Sequence, residues 1–141
     1  MIKKIILGLN LLFLKTVNRL SYSYYLKHFP LYLRRRGINF SGDIGKTGFI
    51  SSSVDFDSLM YSKYITIGEK TTISKNVMFL VHDYSIGSAM RALECDGVRD
   101  GRLPHFIKEI RIGNNTFIGA RTVILPGTQI GNNCIIGGVL L

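Results

Sequence analysis

The sequence predicts an all-β solenoid with a basic helical arm at its start and one long extruded loop. Three observations predict it. An aliphatic or aromatic residue recurs every six positions from Ile38 onward, small residues occupy fixed places in each six, and charge separates residues 1–37 from the rest. The 141 residues with 46% apolar content suit one domain with a real core and are too hydrophobic for a disordered chain.

The arm comes first. Residues 1–37 contain Lys3, Lys4, Lys15, Arg19, Lys27, Arg34, Arg35 and Arg36 and no acid, whereas residues 38–141 hold ten basic and nine acidic side chains. A nearly neutral body lacks the basic face that nucleic-acid binding needs, so no nucleic-acid partner is expected. Ile2, Ile5, Ile6, Leu9, Leu12, Phe13, Val17, Leu20 and Tyr24 recur at three- and four-residue steps, which predicts an amphipathic helix that Pro30 stops or bends. The apolar run 5–14 is too short to span a bilayer, which takes ~20 residues. Lys3-Lys4 ahead of that run imitates a signal peptide, but residues 15–19 offer no small-x-small cleavage site. Two readings of the arm stay open: a helix docked on the body or on a neighbouring subunit, or a helix lying on an anionic membrane surface. The expected location is cytoplasmic, with residues 1–37 as a candidate peripheral contact at the inner face of the membrane.

The repeat follows. Ile38, Ile44, Ile50 and Phe56 fall at six-residue steps. After a step of eleven come Ile67, Ile73 and Phe79, and after a long gap Ile112, Ile118, Ile124, Ile130 and Ile136. Gly45, Gly68, Gly113, Gly119, Gly131 and Gly137 each follow the repeating residue, and small residues such as Thr71, Val77, Thr116, Thr122, Thr128 and Cys134 stand four positions after it. Neither helical nor alternating strand spacing gives this pattern. A short strand, a tight corner and another short strand do. Three such sides make a triangular coil of eighteen residues with one apolar side chain per side pointing at the axis. Asn114-Asn115 and Asn132-Asn133 stand where the corners need residues tolerant of unusual backbone angles. Cys134, in a small-residue place, reads as core.

The runs Ile67-Gly68-Glu69-Lys70-Thr71-Thr72-Ile73 and Ile112-Gly113-Asn114-Asn115-Thr116-Phe117-Ile118-Gly119-Ala120 resemble the hexapeptide-repeat acyltransferases. Within that family, Ile124-Leu125-Pro126-Gly127-Thr128-Gln129-Ile130-Gly131 is similar to the sugar O-acetyltransferases of the maltose and galactoside type. The resemblance covers residues 38–141 and implies a left-handed parallel β-helix, an exception to the right-handed crossover rule.

Between Phe79 and Ile112 the ladder breaks, leaving near Val81-His82-Asp83 and returning near Ile110. An insert of that length cannot be core, so it loops outward (about 82–109), where function is usually placed. His82 stands where the ladder ends and the loop begins, and the resemblance puts the catalytic histidine there. Moving an acetyl group from a thioester to a hydroxyl needs a base for the hydroxyl proton, and an imidazole, titrating near ~6.5 when free, suits that task at neutral pH. Asp83, Glu94 and Asp96 are equal candidates to orient it. Asp83, Arg91 and His105 are the candidate substrate-binding residues, His28 reads as structural, and nothing near Cys95 suggests a nucleophile. The three histidines are too far apart in sequence for a metal-ligand pattern, so no metal is expected and a carbonic-anhydrase-type site on this fold is excluded. Two cysteines likewise exclude a disulfide scaffold.

The resemblance further implies acetyl-CoA as co-substrate, lying along the corners Gly119-Ala120 and Gly137-Gly138, and a homotrimer with sites between neighbouring subunits. Family members normally run on past such a corner into further coils and a basic tail. Here Val139-Leu140-Leu141 end the sequence, so a truncated C-terminus is expected to weaken the hold on CoA. The leading expectation is an acetyl-CoA-dependent O-acetyltransferase acting on a sugar hydroxyl of a cell-surface polysaccharide or its precursor. The alternative is a catalytically impaired remnant serving as a structural or subunit-interaction module.

Overall fold

The computed structural model describes residues 2–18, 20–93 and 105–138. The arm is two helices, α1 (Ile2–Asn18) and α2 (Tyr22–Arg36). They part at Leu20 and Ser21, whose N–H groups both donate to the carbonyl of Val17. Pro30 does not end the arm, contrary to expectation: α2 runs through it, and Pro30 is buried. The stop comes seven residues later at Gly37, whose φ of 116° is one that glycine adopts without cost. The N–H groups of Gly37 and Ile38 both reach back to the carbonyl of Leu33, closing the helix end.

Beyond Gly37 the chain makes successive passes through three parallel sheets. The first sheet orders β1 (Asn39–Ser41), β2 (Ile65–Gly68), β7 (Ile110–Ile112) and β10 (Gln129–Ile130). The second holds β3 (Thr72–Ile73), β8 (Phe117–Ile118) and β11 (Ile135–Ile136), and the third β4 (Met78–Phe79) and β9 (Val123–Ile124). Single bridges Ile50↔Ile73 and Asp55↔Met78 add the first pass to the second and third sheets. In the last two passes Arg111 pairs with Gln129 and Phe117 with Ile135, so the first and second sheets each receive strands eighteen residues apart.

The register assigns the rungs. Phe40, Ile67, Ile112 and Ile130 stack on the first sheet, and Ile73, Ile118 and Ile136 on the second. Phe79 and Ile124 pair on the third, where the ring of Phe56 lies 5.1 Å from that of Phe79 and nearly parallel to it. Nine of the twelve residues expected on the ladder are buried. The first pass departs from expectation: Phe40, not Ile38, is opposite Ile67, and Ile44 starts a one-turn helix, Ile44–Lys46. Extra residues between Phe40 and Ile50 imitate two hexads. Cys134 is half-buried, not core.

Each corner carries its own reason. Lys70, Asn115 and Asn133 adopt φ of 51–57°, the left-handed conformation that asparagine tolerates best among residues with a side chain. The side chain of Asn114 accepts from the N–H of Glu69, and that of Asn132 from the N–H of Asn114, so one corner is tied pass to pass. The threonines four places after the rungs do the same work: Thr71, Thr116 and Thr122 donate to the carbonyls of Gly113, Gly131 and Gly137. For the buried Thr71 and Thr116 these bonds satisfy hydroxyls that would otherwise cost ~1–3 kcal/mol each.

Stacked passes expose apolar rungs at their ends unless something covers them. Helix α2 covers the first pass with Tyr25, Phe29, Tyr32 and Leu33, all buried. The Tyr25 hydroxyl donates to the carbonyl of Ile50 at 2.7 Å, and burial pushes its pKa strongly up, keeping it a donor.

Candidate active site

The long insert leaves the third sheet after Phe79 and returns before β7. Its neck is a short antiparallel ribbon in which β5 (His82–Asp83) pairs with β6 (Phe106–Ile107), His82 opposite Ile107. The N–H of Lys108 donates to the carbonyl of Val81, which is buried. His82 is therefore held between a packed ladder and a closed neck, with 23% of its side chain exposed.

Its partner is Asp57, which sequence reasoning missed. Asp57 Oδ2 lies 2.7 Å from His82 Nδ1 and accepts the Val81 N–H at 2.9 Å, while Oδ1 accepts the Ser58 N–H at 2.6 Å. Only 5% of the Asp57 side chain is exposed. Burial alone would push its pKa up. The N–H groups of Val81 and Ser58 and the His82 ring outweigh that and hold the carboxyl below its ordinary range. An ionised carboxylate only accepts, so His82 Nδ1 is the donor, and in the neutral ring Nε2 carries the lone pair.

Asp57 is itself held by α2. Arg36 Nη2 donates to the Asp57 carbonyl and Nε donates to Ser62 Oγ at 3.3 Å. Asp57 has φ of 59°, which reverses the chain and turns its carboxylate toward Val81 and His82. A signal for it exists in the sequence. The eleven-residue step from Phe56 to Ile67 adds five residues to a hexad, and it does so after a third-sheet rung, as the long insert does after Phe79. Two irregularities at one corner of successive passes stack on each other.

Aromatic rings close around the histidine. The Tyr61 ring lies 4.5 Å from that of His82, and Tyr84 meets it edge-on at 5.2 Å. His105 stacks on Tyr84 at 4.5 Å, and its Nε2 is 3.4 Å from the Tyr61 hydroxyl. The Tyr84 hydroxyl is the main cause holding the Tyr61 phenol above its usual range. The structure thus brings His105 to the His82 cluster.

The other expected residues lie elsewhere. Asp83 accepts the Ser85 N–H at 2.7 Å, a bond that lowers its pKa, at the start of α3 (Ser85–Ala92), where Arg91 is exposed. Glu94, Cys95 and Asp96 lie outside the described residues. His28 stacks on Tyr24 at 3.9 Å, far along the arm. Gly119-Ala120 and Gly137-Gly138 come together on adjacent passes, with Gly119 buried and the other three exposed. Their corner follows the second sheet, whereas His82 follows the third, so one chain presents them on different edges.

An imidazole with one nitrogen fixed by a buried carboxylate and the other carrying a lone pair is a general base oriented for proton transfer. Residues 109–138 match the family described as bacterial transferase hexapeptide (six repeats). The chain is 36% identical over 73 residues to the galactoside O-acetyltransferase of Escherichia coli (strain K12), covering 52% of this chain and 32% of that protein. It is 30% identical over 78 residues to a Bacillus subtilis (strain 168) protein, YvoF, that carries an acetyltransferase name, covering 55% and 36% respectively. The chain spans about one third of the length of these curated relatives. No solved structure matches it significantly. Residues 109–138 thus match a hexapeptide transferase family, and both relatives are named as acetyltransferases.

Proposed function

We propose that this chain is an acetyl-CoA-dependent O-acetyltransferase acting on a sugar hydroxyl, of a cell-surface polysaccharide or its precursor. The reading divides it into an arm, residues 1–37, and a catalytic left-handed parallel β-helix, residues 38–141. The observation that carries it is the 2.7 Å contact between His82 Nδ1 and the buried, ionised Asp57.

In this mechanism His82 Nε2 takes the proton of the acceptor hydroxyl as its oxygen attacks the thioester carbonyl. The C–S bond breaks, and the departing thiolate takes the proton back from the imidazolium. The acceptor leaves as an ester and CoA as a free thiol, with no covalent enzyme intermediate. Asp57 keeps Nδ1 protonated and stabilises the transient imidazolium. Asp83, Arg91 and His105 bind the acceptor. Gly119, Ala120, Gly137 and Gly138 receive the pantetheine arm where bulky side chains would block it. Because those corners and His82 occupy different edges of one chain, the complete site forms between neighbours in a homotrimer.

The test is thiol release from acetyl-CoA with galactosides, maltose and polymeric glycans as acceptors, on a sample whose mass is known. Acceptor-dependent release that falls at least ~10²-fold in His82→Ala is expected. A folded trimer without acceptor-dependent release, or a fully active His82→Ala, overturns the reading.

A further inference from the structure

Helix α1 is apolar on two opposite faces, and the rest of the chain covers only one. Leu7 and Leu14, two helical turns apart, are buried, and Leu11 between them is partly buried. On the opposite side Ile2, Ile5, Ile6, Leu9, Leu12 and Phe13 are 53–72% exposed. The arm is therefore not a helix with one apolar stripe, as its periodicity suggested. A contiguous apolar surface of this kind marks an interaction site.

The surroundings of the face are cationic. Lys15 is exposed in the last turn of α1, and Arg35 of α2 lines one cleft with Ile2, Ile6, Leu7 and Asn10, while Lys4 lines another with Leu7, Tyr32 and Leu59 on the packed side. Lys27 and Arg34 add two more exposed cations, and residues 1–37 contain no acid. A second copy of this arm would bring like charges together. An anionic lipid surface has the complementary charge, taking the apolar face into the acyl boundary while lysine and arginine stay among the headgroups. Helix α1 is 17 residues long, and no helix among the described residues is long and apolar enough to cross a membrane.

We infer that α1 is an interfacial helix that docks the protein on an anionic bilayer, with Ile2, Ile5, Ile6, Leu9, Leu12 and Phe13 inserted and Lys15 and Arg35 at the headgroups. The inference is independent of the reaction proposed above.

The chain contains no tryptophan, so Phe13→Trp in the full chain is a single reporter on the inserted face, and Phe117→Trp is its control on the body. The probes are vesicles of phosphatidylcholine alone and of phosphatidylcholine with about one third phosphatidylglycerol. Expected are a blue shift of Phe13→Trp on the anionic vesicles only, no shift of Phe117→Trp, and at least ~threefold weaker co-sedimentation at high salt. Leu9→Asp, at an exposed position, reduces co-sedimentation at least ~tenfold with unchanged circular dichroism. Absence of co-sedimentation with anionic vesicles, or equal binding to neutral ones, overturns the inference. So does a native mass that falls in Leu9→Asp while the wild type ignores vesicles, which would give the face to a second copy.

Discussion

Asp57 Oδ2 stands 2.7 Å from His82 Nδ1, and the two residues belong to successive passes of the chain. The pair therefore forms only when the first pass stacks on the second. Its geometry is a product of the ladder and not of any local motif.

Replacing Asp57 with asparagine keeps the shape and removes the charge that fixes the Nδ1–H tautomer. An asparagine amide can also donate to Nδ1, leaving the proton on Nε2, where a base needs a lone pair. Asp57→Asn is expected to lower kcat by about 10²–10⁴-fold with little change in KM. Steady-state kinetics over acetyl-CoA and acceptor concentration read both constants. A kcat within a factor of about three of wild type would mean that Asp57 only supports the fold.

The same carboxylate sets an acid limit. Its folded pKa lies below that of a free aspartate, so the unfolded chain binds the proton first as pH falls. The stability Asp57 contributes is fully present above about pH 4 and is lost as pH drops toward the lowered folded value. Thermal melts between pH 3 and 6 are expected to show a steeper fall in Tm below about pH 4 for wild type than for Asp57→Asn. Parallel curves would show that other groups, Asp83 among them, carry the acid sensitivity.

Arg36 reaches the same site from α2, with Nη2 on the Asp57 carbonyl and Nε on Ser62 Oγ. A lysine carries one ammonium and cannot hold both with a planar fork. Arg36→Lys is expected to lower kcat about tenfold through misplacement of Asp57, with KM little changed. Combined with Asp57→Asn it should add almost nothing, because both act through one carboxylate. Full additivity in that double-mutant cycle would separate Arg36 from the site.

The third-sheet rungs were legible as hexads, and so was the start of the insert at His82, because a broken period is itself a signal. Asp57 was not, since a lone aspartate 25 residues from its partner carries no local pattern. What marks it is the eleven-residue step, meaningful only once stacked under the insert. The first pass misled for the opposite reason. Ile38 and Ile44 keep the period by coincidence, while the register selects Phe40, and no periodicity count distinguishes the two without the partner strand. Helix α1 shows the same limit: the spacing of its apolar residues predicts a helix but not that they face two ways.

The stacked rings of Phe56 and Phe79, the rungs that lead into Asp57 and the insert, offer a stability test of the ladder under the site. Both are buried, with centroids 5.1 Å apart and planes 15° apart. Phe79→Ala is expected to cost about 3–5 kcal/mol in reversible unfolding. A cycle with Phe56→Leu and Phe79→Leu should give about 0.5–1.5 kcal/mol of coupling beyond the area lost. A coupling near zero would mean that the rings contribute as separate hydrophobes.

Gly113 and Gly131 occupy the same place in successive passes, directly after a first-sheet rung, yet they should respond oppositely to one methyl group. A Cβ on Gly113 would lie 2.5 Å from the carbonyl carbon of Gly131, backbone that cannot yield without unstacking the passes. At Gly131 the nearest described atom, Cys134 Sγ, is 3.9 Å away, and neither glycine has a positive φ. Gly113→Ala is therefore expected to lose about 1–3 kcal/mol, and Gly131→Ala to be neutral or slightly stabilising by restricting the unfolded chain. Denaturant melts of the two variants decide it. Equal loss at both positions would show that the corner conformation, and not the pass stacked above, demands glycine.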